Sequence, residues 1–112
     1  MVDGRQLIED TRNIILEVSA GLDAQKGTFS DEQFAEFEMY IESAQKWVKL
    51  CRKKVWLRGK EGTDMAQRCL SAADRLQTSL DKPAVAIVAA ADVSTQLESL
   101  ARVISTKSQV LT

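Results

Sequence analysis

One stretch of this chain constrains its fold more than any other. Phe34, Phe37, Ile41, Ala44, Val48, Cys51 and Val55 recur at alternating steps of three and four, the period at which one face of an α-helix meets an apolar neighbour. A strand would need alternation at every second residue, which the segment lacks. Just before it, Ser30 and Gln33 have the spacing of a capping box, Phe29 and Phe34 hold the two positions of a hydrophobic staple, and Asp31 and Glu32 put negative charge in the first turn. Gly59 offers a C-terminal stop. The pattern predicts one unbroken helix over residues 30–58, about 43 Å long at about 1.5 Å per residue.

A helix with a single apolar seam needs partners, and three more patterns supply them. Asp3 and Gln6 form a capping box with Val2 and Leu7 as its staple, and Leu7, Thr11, Ile14, Val18 and Leu22 then make a stripe that Ile8 and Ile15 widen. This predicts a helix over about 3–25, closed by Gly27. Thr63 is placed to cap a third helix to about residue 80, with the seam Met65, Cys69, Ala72, Leu76 and Leu80. Pro83 suits the first turn of a fourth, about 83–107, whose stripe is Ala86, Ala90, Val93, Leu97, Leu100 and Ile104, before a frayed tail at 108–112. The expectation is one all-α domain over residues 1–112, an antiparallel up-down-up-down four-helix bundle. Counting outward from Lys60, Val55 falls level with Met65, Cys51 with Cys69, Val48 with Ala72 and Ala44 with Leu76. The second and third helices are therefore expected to pack as a hairpin.

Composition narrows the function more by exclusion than by signal. The 112 residues carry a net charge of -1 and no histidine. That removes the most versatile acid-base side chain and the Glu-x-x-His ligand pairs of di-iron bundles. No serine or cysteine has an evident base beside it, so catalysis, a metal site and a cofactor are not expected. Two cysteines are too few for a disulfide scaffold. Cys51 and Cys69 are either a redox pair or, the favoured reading, reduced core thiols. The loop from Gly59 to Thr63 has glycines, a lysine and a hydroxyl but lacks phosphate-loop spacing, and reads as a helix-to-helix turn. The start shows no secretory pattern, and the longest uncharged stretch, Pro83 to Ala91, is too short to span a bilayer. A cytoplasmic location is expected.

The positive signal is charge segregation. The stretch from Lys46 to Lys60 holds seven of the fifteen basic residues and both tryptophans, while the first 45 residues hold ten of the sixteen acids. The helix dipole accounts for charges in the first and last turns and fades beyond them, so Lys46 to Lys54 need another explanation. The apolar pattern also broadens there, and Trp47, Leu50, Lys53, Trp56, Leu57 and Arg58 make up the candidate docking surface, set against the competing reading that the same residues pack inside the bundle. An acidic protein is the partner expected first, and nucleic acid held by the same cations and tryptophans second. A membrane surface ranks lower because the seam is committed to the core. The uncharged stretch from Pro83 to Ala91 adds an option of homo-oligomers through the fourth helix.

Overall fold

The computed structural model describes residues 3–111, and side chains from Asp3 through Lys107. It is all-helical, with no strand among the described residues.

Helix α1 (Gly4–Ala20) starts where the Asp3 carboxylate accepts hydrogen bonds from the backbone N–H of Arg5 and Gln6, at 2.9 and 3.4 Å. Val2, the other half of the expected staple, lies outside the described residues. The expected helix over 3–25 is interrupted at Gly21, whose N–H bonds back to Glu17 and Val18, and α2 (Leu22–Gln25) adds a single separate turn. Helix α3 (Asp31–Cys51) has both halves of its capping box, Gln33 N to Ser30 Oγ at 3.1 Å and Ser30 N to Gln33 Oε1 at 3.0 Å. The rings of Phe29 and Phe37 pack with centroids 4.9 Å apart, closing the α2–α3 corner.

The expected unbroken helix over 30–58 is wrong in its last two turns. Helix α3 stops at Cys51, Lys53 takes a left-handed conformation (φ 62°), and Val55–Arg58 forms a 3-10 turn. No glycine or proline marks the break. Its cause is side-chain burial. A continuous helix would place Leu57 one heptad from Leu50, on the solvent side. The break carries Leu57 into the core, where it is 0% exposed, and turns Val55 out to 73% exposure. Burying a leucine is worth about 1.5–3 kcal/mol, and the break exchanges the burial of Val55 for that of the larger Leu57.

A second correction concerns neighbours. Helix α4 (Lys60–Thr78) and α5 (Pro83–Leu111) complete the bundle, and α3 and α4 do not form the expected hairpin. Instead α1 lies against α3 and α4, and α5 lies against the same two helices. The level-matching from Lys60 assumed a tight turn, whereas residues 52–59 cross the end of the bundle from α3 to α4. Helix α4 also begins at Lys60, three residues before the expected cap. Thr63 sits inside its first turn, where the hydroxyl accepts from Gly4 N (3.2 Å) and donates to the Leu57 carbonyl (3.1 Å). That hydroxyl ties the start of α1, the crossing segment and α4 together.

Phe37, Ile8, Ile15, Ile41, Leu57, Leu76, Leu97 and Leu100 fill the core, with Ala66, Ala72, Ala73, Ala86 and Ala90 where helices approach closely. Helix α5 runs past Lys107, the expected end. Its first 25 residues, Pro83–Lys107, are long and apolar enough by length and composition to cross a membrane, a wider window than the uncharged stretch alone. Here one side of that helix, Ala86, Ala90, Val93, Leu97, Leu100 and Ile104, is buried in the bundle.

Candidate protein-binding surface

The six residues singled out from the sequence fall into three environments. Leu57 is core, not surface, because the break in α3 turns it inward. Trp47 is half-buried on the side of α3, with Lys46 Nζ 5.1 Å and the Arg102 guanidinium of α5 5.8 Å from its ring. This is a cation–π arrangement that clasps the indole within the molecule. The remaining four stay at the surface: Leu50 is 50% exposed, Lys53 and Arg58 are exposed, and Trp56 is half-buried in the 3-10 turn. Leu50 on α3, Lys53 in the segment after it, and Trp56 and Arg58 in the 3-10 turn that packs against α1 and α4 thus keep surface exposure, and Leu57 leaves the set.

Sequence periodicity missed Val55, assigned to the seam and now the most exposed large apolar side chain of the segment. The available signal was the run Arg52-Lys53-Lys54, three adjacent cations that a buried seam could not accommodate on both sides. Of these, Arg52 is used internally. Its Nε and Nη2 donate to the two carboxylate oxygens of Glu9 at 2.8 and 3.3 Å, linking α3 to α1. That hydrogen bonding holds the Glu9 carboxyl below its ordinary range, against the opposing effect of burial.

Lys46, Lys49, Lys53, Lys54, Arg58 and Lys60 form no ion pair among the described residues. Between α1 and α3 runs an open groove of about 270 Å³ lined by Ile15, Leu16 and Val48 with Arg12, Lys49 and Arg52 along it. The arrangement is an apolar strip bordered by cations. No family model, curated protein or solved structure matches the chain. The surface is therefore interpreted from its own chemistry.

Cys51 and Cys69 are both free and fully buried. Cys51 Sγ donates to the Leu97 carbonyl at 3.6 Å, and burial pushes both thiols up to about 12 from an ordinary value of 9.0. Their folded-state pKa lies above the unfolded value, so their contribution to stability is fully present below about pH 9. It is lost as pH rises from there toward 12, where unfolded thiols ionise and folded ones do not, by up to about 1.4 kcal/mol per thiol per pH unit. Urea midpoints measured at pH 8 and pH 10.5 should fall more in the wild type than in a Cys51→Ala/Cys69→Ala variant. Equal slopes would remove the buried-thiol explanation.

Proposed function

We propose that this chain is a cytoplasmic, non-enzymatic binding module, an adaptor, inhibitor or regulator, that docks an acidic protein through the basic end of α3 and the crossing segment. We further propose that its four long helices run antiparallel in up-down-up-down order. Supporting the second point, Glu9 pairs with Arg52 while Arg12 and Leu16 line a groove with Lys49 and Gln45, so positions rising along α1 meet positions falling along α3. Arg75 meets Asp92 at 2.9 Å while Ser79 and Val88 share a second groove, the same relation between α4 and α5. Gly4 with Thr63 and Glu17 with Gln77 keep separations of 59 and 60 residues, as expected where α1 and α4 rise together.

The observation that carries the functional reading is a run of exposed cations without ion pairs among the described residues, Lys49, Lys53, Lys54, Arg58 and Lys60, in the same stretch of chain as two exposed apolar side chains, Leu50 and Val55. Exposed apolar groups among such cations fit a docking surface, in which the apolar groups supply affinity and the cations supply association rate and partner choice. The surface becomes Leu50, Lys53, Lys54, Val55, Trp56 and Arg58, with Trp47 and Leu57 holding it from beneath.

The test compares capture of proteins from nuclease-treated lysate by the wild type and by a Lys53→Glu/Arg58→Glu variant. An acidic protein should be retained about ten-fold less by the variant. Both side chains are exposed, so the melting temperature should be nearly unchanged. Capture that disappears with nuclease, in wild type and variant alike, would replace this reading with nucleic-acid binding.

A further inference from the structure

The outward side of α3 carries Glu32, Ala35, Met39, Glu42, Lys46 and Leu50, all exposed and spaced at three or four residues. It is a second seam, opposite the buried one. Met39 is 54% and Leu50 50% exposed, and they stand on the same side of the helix about three turns apart. Asp31, Glu36 and Glu38 flank the first half and Lys49 the second, so one half of the face is acidic and the other basic.

None of Asp31, Glu32, Glu36, Glu38, Glu42, Lys46 and Lys49 forms an ion pair among the described residues. Glu42 and Lys46, at the spacing that favours an intrahelical pair, are not paired either; Lys46 Nζ lies instead 5.1 Å from the Trp47 ring. The helix dipole accounts for Asp31 and Glu32 in the first turn and Lys49 in the last. Glu38, Glu42 and Lys46 lie in the middle of the helix, where that influence has faded.

A face whose charge reverses about its own midpoint is complementary to a reversed copy of itself. With a twofold axis at the level of Ala44, Glu42 stands opposite the second copy's Lys46, and Lys46 opposite the second copy's Glu42. Met39 falls within one residue of level with the second copy's Leu50, about 1.5 Å along the axis, and each contact occurs twice because the interface is isologous. Antiparallel helices also set opposite dipole ends side by side. We propose that the outward face of α3 is a self-association surface, in which the acidic half of one copy docks on the basic half of another. The inference rests on the docking role proposed above and, on a face that shares only Leu50 with that surface, commits to a second copy of this chain as the occupant. The charge reversal and the paired apolar residues favour this occupant over an unrelated protein, which would have to supply both signs in the same order.

Sedimentation of the full chain across a concentration series tests it. The wild type should pass from monomer to dimer in the micromolar range, as a small interface implies, and more readily at low salt. Glu42→Lys and Lys46→Glu each place like charges across the axis and should weaken dimerisation about ten-fold or more. Mixing the two variants should restore a one-to-one heterodimer, because the first then presents cations at both positions and the second presents anions at both. Circular dichroism identical to the wild type secures the comparison.

A chain that stays monomeric at every concentration, or dimerises regardless of both reversals and gains nothing on mixing, overturns the proposal. A monomer that still captures an acidic protein through Lys53 and Arg58 overturns the self-association alone. A monomer that captures none overturns both readings.

Discussion

Gly62→Ala should lower the unfolding free energy by about 2 kcal/mol, whereas Gly27→Ala should leave it unchanged or slightly higher. Ordinarily the first change would help, since alanine is favoured over glycine inside a helix by roughly 1 kcal/mol. At Gly62 a methyl group would overlap the Trp56 carbonyl oxygen and stand 2.7 Å from Leu57 Cα. Both are backbone atoms, so no rotamer change relieves the overlap, and the crossing segment or α4 must move. Gly4 lies against the next peptide, where an added carbon would overlap the Leu57 carbonyl oxygen and meet Thr63 Cα at 3.1 Å. The two glycines thus clasp residues 56 and 57 between the starts of α1 and α4. Overpacking against rigid surroundings costs typically 1–3 kcal/mol and sometimes more, and here it must also exceed the propensity gain. Gly27 has nothing within 4 Å of its added carbon, so only the unfolded-state effect remains, a stabilisation of under about 1 kcal/mol. Thermal unfolding of the two variants reads the difference directly, with a drop of roughly 10 °C expected for Gly62→Ala. Equal melting temperatures would mean that the crossing segment is not clasped at all.

The parts of this fold that were legible in the sequence are those set by local chemistry. The Ser30–Gln33 capping box and the edge-on Phe29–Phe34 contact depend on residues within a few positions of one another and form as spacing predicts; the Asp3 carboxylate caps α1, but the expected box there is half made, because Gln6 Nε2 donates to Asp10. What was not legible depends on a choice between two burials of similar size. Periodicity assigned Val55 to the seam because it continues the steps of three and four, and left Leu57 outside. Only the position of the other helices shows that an inward Leu57 can be packed between Gly4 and Gly62. The same non-local information decides that α3 and α4 are not neighbours. Chain distance from Lys60 cannot distinguish a tight hairpin from a segment that crosses the bundle end.

The candidate surface follows the same division. Its cations and its apolar residues were visible as composition, in the stretch from Lys46 to Lys60. Which of them face water was not, because the answer turns on a left-handed residue at Lys53 that no glycine announces. Trp47 was similarly ambiguous: it packs against the core and meets Arg102 of α5 at 5.8 Å, a neighbour that local spacing does not reveal. Sequence periodicity therefore locates the segment and mixes its inner and outer residues.

Leu57→Ala and Val55→Ala provide the most direct separation of the two. If α3 continued through residue 58, truncating Val55 would open the seam and truncating Leu57 would trim a wet side chain. With the helix broken at Cys51, the order reverses. Leu57 is 0% exposed and Val55 is 73% exposed, so Leu57→Ala should cost about 3 kcal/mol and Val55→Ala less than about 0.5 kcal/mol. The backbone at Leu57 is itself held, by the Thr63 hydroxyl on its carbonyl and by the close approach of Gly4 and Gly62, so residue 57 has little room to shift and fill the space left by its side chain. Chemical denaturation measures both values, and a larger loss for Val55→Ala would restore the continuous helix. The pair also bears on binding. Trp56 and Arg58 flank Leu57 in the chain, so loosening that anchor should weaken partner capture and stability together, whereas Val55→Ala should weaken capture alone. A surface whose geometry is set by one buried leucine beneath it would show that coupling, and a surface formed by a straight helix would not.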